Sequence, residues 1–407
     1  MKNKVVKNTT MLYLMNIAKM IFPLLTLPYL TRVLTVECYG VVSYVKAVMQ
    51  YMQLIVDFGF VLSGTRDIVL IKQDKERLNY EVGNILMAKI LLSVAAGLML
   101  CIATVTIGIL RGNVLYTALS FMVVFLTNFL FDFLFRGLER MEVITIRFVV
   151  MKGLAALLTF AFVHNDSDIL WIPVLDIIGS LVAIAMVLFE IRKLNIQLRF
   201  NGLKTILKKI VDSAIYFFSN MATTAFMALN TLLIGIFINE TEVAYWSLCL
   251  QMITAVQALY TPLTDGIYPH MVKSKDFGLI KKVTKIYMPL VTIGCIFTLV
   301  VAKYALLILG GEQYIVAANL LRALVPVLFF SFLSMLFGWP TLGAINKQRE
   351  TTITTVATAI VQILGLVLLI LTNQFTLINI ALLRGATECM LFVFRFSYVR
   401  KFRLEFI

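Results

Sequence analysis

Charge is scarce in this chain, and so are the groups that soluble catalysis requires. Only 14% of its 407 residues are Asp, Glu, Lys or Arg, against about 25% in an ordinary soluble domain. The two histidines, His164 and His270, stand in separate polar connections and cannot share a metal. No G-x-x-x-x-G-K-[ST] run is present, which argues against ATP hydrolysis within the chain, and Gly310-Gly311 reads as a turn. The five cysteines, Cys38, Cys101, Cys249, Cys295 and Cys389, lie in or beside apolar segments without metal or disulfide spacing. They read as small hydrophobes. Connections between apolar runs are short, so there is no separate soluble domain to hold an active site or to bind nucleic acid. Neither an enzyme nor a cofactor is expected.

Hydrocarbon is what the chain has in abundance. Hydrophobic residues make up 60%, and the mean hydropathy is +0.93. The fold class expected is an all-α polytopic membrane protein with about 12 transmembrane helices. The apolar segments are 10–31, 40–62, 84–109, 114–135, 144–163, 169–189, 213–238, 243–264, 286–309, 320–340, 352–371 and 376–395. Each is long enough for a core about 30 Å thick; the second and eighth are diluted by polar residues. The basic amino terminus starts like a signal peptide, but the run from Met11 to Leu30 is long and lacks a small-residue cleavage site, so it reads as an uncleaved span.

Charge asymmetry sets the expected orientation. Basic residues gather at both termini and in every second connection, as at Lys2, Arg66, Arg140, Arg192, Lys204, Lys281, Lys347 and Arg400. The opposite connections hold only Arg32 and Arg111, with acids at Asp166, Asp168, Glu240, Glu242 and Glu312. The positive-inside rule puts both termini in the cytoplasm. The net charge of +14 is then mainly a topology signal. The connection Ile191–Asp212 divides the chain into six-helix halves, 1–200 and 201–407, running in the same direction. Weak likeness links them: a striped helix follows Glu37-Cys38-Tyr39 in one and Glu242-Val243-Ala244-Tyr245 in the other. Such parallel repeats suit alternating access. Pro23 and Pro28 interrupt the first span, as hinges or as static kinks.

The most informative stretch is residues 31–67. In its helix, Lys46, Gln50, Gln53 and Asp57 recur at helical spacing on one face, and the other faces are apolar. A lipid-facing cation at mid-helix costs about 2.5–3.5 kcal/mol, so the stripe is expected to line a wet interior; snorkelling remains the alternative for Lys46. Lys19 lies on a polar stripe of the preceding span. With Arg32 and Arg322 these lysines form a candidate positive cavity for an anionic substrate such as a diphosphate. Gln50, Gln53, Asn220 and Gln251 are further candidates for its wall, Gln50 and Gln53 also for gluing helices. Asp57, Asp132, Asp265, Arg384 and Glu388 are the candidates for gating or ion coupling. Asp57 and Asp265 read equally well as anchors between loops and helices. Asp132 with Arg136, and Arg384 with Glu388, have the i, i+4 spacing of a pair.

Three runs carry a resemblance. Pro28–Leu34 (PYLTRVL), the Glu37-x-Tyr39-Gly40 turn, and Val56-Asp57-Phe58-Gly59-Phe60 leading to Thr65-Arg66 resemble the bacterial Wzx-type polysaccharide flippases. These belong to the multidrug/oligosaccharidyl-lipid/polysaccharide exporter (MOP) superfamily. The second half agrees at Asn220, Tyr245, Ala255-Val256-Gln257, Pro262 and Tyr268-Pro269, so the likeness covers roughly residues 10–345. It implies a MATE-like fold of two six-helix bundles about a central cavity, in the bacterial plasma membrane. The implied activity is flipping an undecaprenyl-diphosphate-linked glycan repeat unit for O-antigen, capsule or another surface polysaccharide. The implied partners are a polysaccharide polymerase and chain-length proteins, with proton or sodium coupling open. Some relatives have fourteen spans where twelve are expected here. Two other functions stay open: a MATE-like ion-coupled drug or solute exporter, and a non-transporting scaffold for glycan assembly.

Overall fold

The computed structural model describes residues 2–406; the side chains of residues 2–6, 9, 219–220, 222–227 and 265 lie outside the description. The described chain is helical, and it divides into two compact units, Met1–Thr224 and Ala225–Ile407. Ten stretches among the described residues are long and apolar enough to cross a membrane. They correspond to all the expected segments except the second and seventh. The second is 22 residues long as a helix, Val36–Asp57, but its polar stripe dilutes it. In the seventh, the described apolar stretch is Ala228–Phe237.

In the first unit, α1 (Lys2–Val33) runs through Pro23 and Pro28 without ending. Thr35 caps α2 (Val36–Asp57), its hydroxyl accepting from the Cys38 amide at 3.3 Å. The expected continuous helix over 40–62 breaks at Phe58 and Gly59, whose φ angles are +38° and +81°. The reason is close approach as well as backbone preference. A Cβ on Gly59 would lie 2.5 Å from that of Tyr216, and Phe58 stacks on Phe217 at 4.4 Å. Beyond the break, α3 (Phe60–Ile71) leads to α4 (Lys75–Thr106), capped by Asp74. Short α5 (Gly108–Gly112) precedes α6 (Val114–Leu126). A 3-10 turn and a left-handed Phe131 separate α6 from α7 (Asp132–Gly137). The unit continues with α8 (Met141–Phe162), α9 (Trp171–Lys193) and the first part of α10 (Leu203–Phe237).

One end of this unit is tied by an apolar cluster including Phe60, Ile68, Val82, Ile85, Phe133, Leu134 and Ile144. The connection after α9 lies against α4. Asn79 accepts from the Gln197 amide and Asn84 from the Asn201 amide, both at 2.9 Å. Gly83 sits where a Cβ would fall 1.9 Å from the Arg199 carbonyl oxygen, so a glycine permits the approach.

The second unit holds α11 (Glu240–Gln257), α12 (Thr261–Ser274), α13 (Phe277–Gly310), α14 (Ala318–Leu336), α15 (Gln348–Leu371) and α16 (Leu377–Lys401). Side chains of Asn239, Asp276 and Thr376 cap α11, α13 and α16. Helix α14 is the hub, packed on α11, α13 and α16. It passes into a π-helical turn, Phe337–Leu342, where Pro340 has no amide hydrogen for the Leu336 carbonyl. The Thr341 hydroxyl donates to that carbonyl instead, at 2.7 Å. Meanwhile α13 presents Leu290, Ile293, Ile296, Phe297 and Val300 outward, each more than half exposed. An apolar outer face of this extent requires a lipid solvent.

Candidate functional site

Helix α2 has the reverse exposure pattern. Val41, Val42, Tyr44, Val45, Ala47, Val48 and Met49 are buried, while Lys46 and Gln50 are exposed. A helix against lipid would hide the lysine and present the valines. Of the polar stripe, Lys46 and Gln50 are exposed and Gln53 and Asp57 half-buried, while the apolar faces of α2 pack against α4 and α6.

Around this stripe the first unit arranges its charges in layers. Lys46 senses Lys152 of α8 and Asp176 of α9, which bridge each other at 2.7 Å. The charge of Asp176 also acts on buried Tyr116 of α6. One layer along, the Gln53 amide donates to Asp57 at 2.8 Å and to the Thr127 hydroxyl at 3.1 Å. Asp57 pairs with Lys89 of α4 at 3.0 Å, and that lysine side chain is only 8% exposed. Asn128 donates to Ser93 at 2.7 Å beside them. Through Asp57 and Gln53 this network joins α2, α4 and the turn after α6.

Lys19 is exposed on α1, 5.7 Å from the Phe148 ring centre, and feels the charge of Arg136. The expected Asp132–Arg136 pair is not formed: Asp132 meets Arg147 of α8 instead. Left-handed Phe131 starts a new short helix at Asp132, and that re-aims the carboxylate across to α8. Arg147 is only 3% exposed. Arg32 is exposed at the other end of α1.

The second unit gathers a different set. Arg322 is half-buried on α14. It donates to the Leu299 carbonyl and to Asn319, both at 3.0 Å, holding α13 to α14. Gln251 is half-buried on α11, its backbone carbonyl accepting from the Thr254 hydroxyl. The side chains of Asn220 and Asp265 lie outside the described residues. Arg384 and Glu388 do pair along α16, at 3.6 Å. Sequence reasoning missed their surroundings. Ser334 donates to Glu388 at 2.7 Å, and Arg395 donates to the Ser334 carbonyl at 2.6 Å and to Thr355 at 3.0 Å. Gly338 leaves room for that guanidinium. Thr387 donates to Gln362, which donates to Asn230. The signal was available, since residues 384, 388 and 395 share one face of α16.

Outside the membrane-spanning segments, Lys209 bridges Asp67 at 3.0 Å and Glu81 at 2.6 Å in a cleft of about 270 Å³. Burial alone would lower its pKa, but the two carboxylates raise it above the ordinary lysine value. Among the described residues no group of three His, Cys, Asp or Glu could hold a metal.

Comparison with known proteins agrees with this geometry. The family profile of polysaccharide biosynthesis proteins matches residues 5–275. A protein of Escherichia coli (strain K12), provisionally named as an O-antigen transporter, is 25% identical over 397 residues, covering 94% of each chain. A similarly named protein of Shigella dysenteriae is 26% identical over 284 residues, 69% of this chain and 70% of its own. Among solved structures, the lipid II flippase MurJ in an inward closed conformation superposes with a TM-score of 0.72 at 12% identity, covering 97% of this chain and 87% of that one. An inward-facing multidrug resistance MATE family transporter of the MOP superfamily gives 0.66 at 14% identity, with 95% and 97% covered. The fold is thus that of an all-α polytopic membrane protein resembling MATE and MOP transporters, and the chain belongs to the polysaccharide biosynthesis protein family.

Proposed function

We propose that this chain flips an undecaprenyl-diphosphate-linked oligosaccharide repeat unit across the bacterial plasma membrane for surface polysaccharide assembly. The observation that carries the reading is the polar stripe of α2, with Lys46 and Gln50 exposed where the apolar faces are packed. A diphosphate needs such point charges, and the ammonium of Lys46 can bind it and still release it into water. Family membership and the relatives named for O-antigen transport support the substrate class.

The described intramembrane carboxylates speak against a cation exporter. Asp57, Asp132, Asp176 and Glu388 each sit against a lysine or arginine of the same unit. A site for a cationic drug would need an acid without such a partner. On the flippase reading the chain crosses twelve times in two six-helix halves, 1–200 and 201–407, with both termini cytoplasmic. Lys19, Arg32, Lys46, Gln50, Gln53, Asn220 and Gln251 contribute to the substrate path. Polysaccharide polymerase and chain-length proteins receive the product, and proton or sodium movement is open as the driving force.

The test is leaflet distribution in proteoliposomes. Wild type should transfer a labelled lipid-linked repeat unit to the outer leaflet. Lys46→Ala should slow transfer, Lys46→Glu should slow it further, and Lys46→Arg should recover part, each normalised to folded protein. Equal rates for wild type, K46A and K46E would remove Lys46 from the path. Drug efflux without glycan movement would favour the exporter reading. If wild type moves neither, the scaffold reading stands instead.

A further inference from the structure

A second charged site lies at the end of the second unit where α13 begins and α16 finishes. A groove of about 510 Å³ is lined there by Phe277, Ile280, Phe337, Phe396 and Val399, together with Thr284, Lys281, Lys285, Arg400 and Arg403. Its floor is apolar: Ile280, Phe337 and Val399 are buried, and Phe396 is 41% exposed. Its rim carries four exposed cations, and no carboxylate is among the lining residues. The cleft around Lys209 makes the contrast, since Asp67, Glu81 and Asp212 line it. The nearby acid Glu405 is spent on Lys347 at 2.9 Å. The stub after α16 is itself held down, with Phe406 against Phe277 at 5.2 Å and Lys347 over Phe402 at 4.2 Å.

The depth of this groove fits a membrane interface. It sits at helix ends, and the turn that supplies Phe337 to it also carries Trp339, which is half exposed. Tryptophan with a polar edge and an apolar body favours that level, and the lysine and arginine stems can lie along apolar surface with their heads in water. A free inorganic anion would use the rim and leave the phenylalanine floor bare. An acyl chain from the adjacent leaflet covers that floor and brings a phosphate to the rim.

We infer that this groove binds an anionic phospholipid of the leaflet at the basic end of the helices, with the phosphodiester on Lys281, Lys285, Arg400 and Arg403 and an acyl chain along Phe337 and Phe396. The inference does not use the transported substrate, so it stands or falls separately from the flippase reading. Each cation near an anionic headgroup contributes about fivefold to binding.

The experiment is native mass spectrometry of the full chain carrying phosphatidylglycerol or phosphatidylcholine. Phosphatidylglycerol should be retained preferentially, and Lys285→Gln with Arg403→Gln should weaken it by about 25-fold. Lys285→Arg should keep the preference. Lys204→Gln with Lys208→Gln, in the other unit, should leave it unchanged. Equal retention of the two lipids, or a preference that survives K285Q/R403Q, would overturn the inference. So would an equal loss with the distant pair, which would mean diffuse attraction. Displacement of the lipid by millimolar inorganic phosphate would make the rim a phosphate site and the floor irrelevant. All four cations are exposed, and matched thermal unfolding midpoints confirm that the variants compared are folded.

Discussion

Replacing Asp57 by asparagine separates the two roles its position suggests, an anchor between helices and a coupling acid. In the structure Asp57 is 30% exposed, and it accepts from Gln53 at 2.8 Å while pairing with Lys89 at 3.0 Å. Lys89 is only 8% exposed, so Asp57→Asn leaves a buried ammonium without its anion. Breaking a fully buried pair costs about 3–5 kcal/mol. Partial exposure of the carboxylate side reduces that to about 2–3 kcal/mol. At about 2–4 °C per kcal/mol for a unit of this size, the unfolding midpoint should fall by about 4–12 °C. Lys89→Met in the same chain should restore most of the loss, because it removes the stranded charge. Tryptophan fluorescence melts of purified protein, paired with glycan transfer normalised to folded protein, read both quantities. The anchoring argument fails if D57N melts like wild type while transfer is abolished. That result would assign the carboxylate to the transport cycle.

Three further outcomes are expected. Gly83→Ala drives a methyl into the Arg199 carbonyl, which should cost about 1–3 kcal/mol and raise protease cleavage within residues 196–202 by about 5- to 150-fold, read by gel; unchanged cleavage would mean that the connection yields freely. Lys209→Met should lower the melting midpoint by a constant amount at neutral pH, worth about 1 kcal/mol for a partly exposed pair. Because the folded pKa of Lys209 is raised, the stabilisation is fully present below the unfolded lysine value of about 10.4 and is lost as pH rises through the folded value; the gap between variant and wild type should close only above about pH 10.4. In a cysteine-free background, cysteine at position 312 should react with an impermeant maleimide in intact cells and cysteine at position 199 should not; labelling at 199 would overturn the expected alternation of sides.

Sequence alone determined the solvent and the elements. A chain with 60% hydrophobic residues and 14% charged ones must satisfy its backbone inside lipid, which leaves helices as the natural solution for long apolar runs. Helical periodicity also determined that Lys46, Gln50, Gln53 and Asp57 share a face, since that follows from 3.6 residues per turn. The i, i+4 pair of Arg384 and Glu388 was legible for the same reason. Tertiary structure decided everything that depends on which helix stands opposite. Asp57 took Lys89, and Asp132 took Arg147 in place of Arg136. Arg322 gave its Nε donor to the Leu299 carbonyl of α13 and an Nη donor to Asn319. The break after Asp57 was likewise invisible to hydropathy, because Gly59 is there to admit Tyr216 from a helix some 150 positions along the chain. Spacing records only neighbours along one helix. Partner choice between helices is set by packing, where a few ångströms decide which charge meets which.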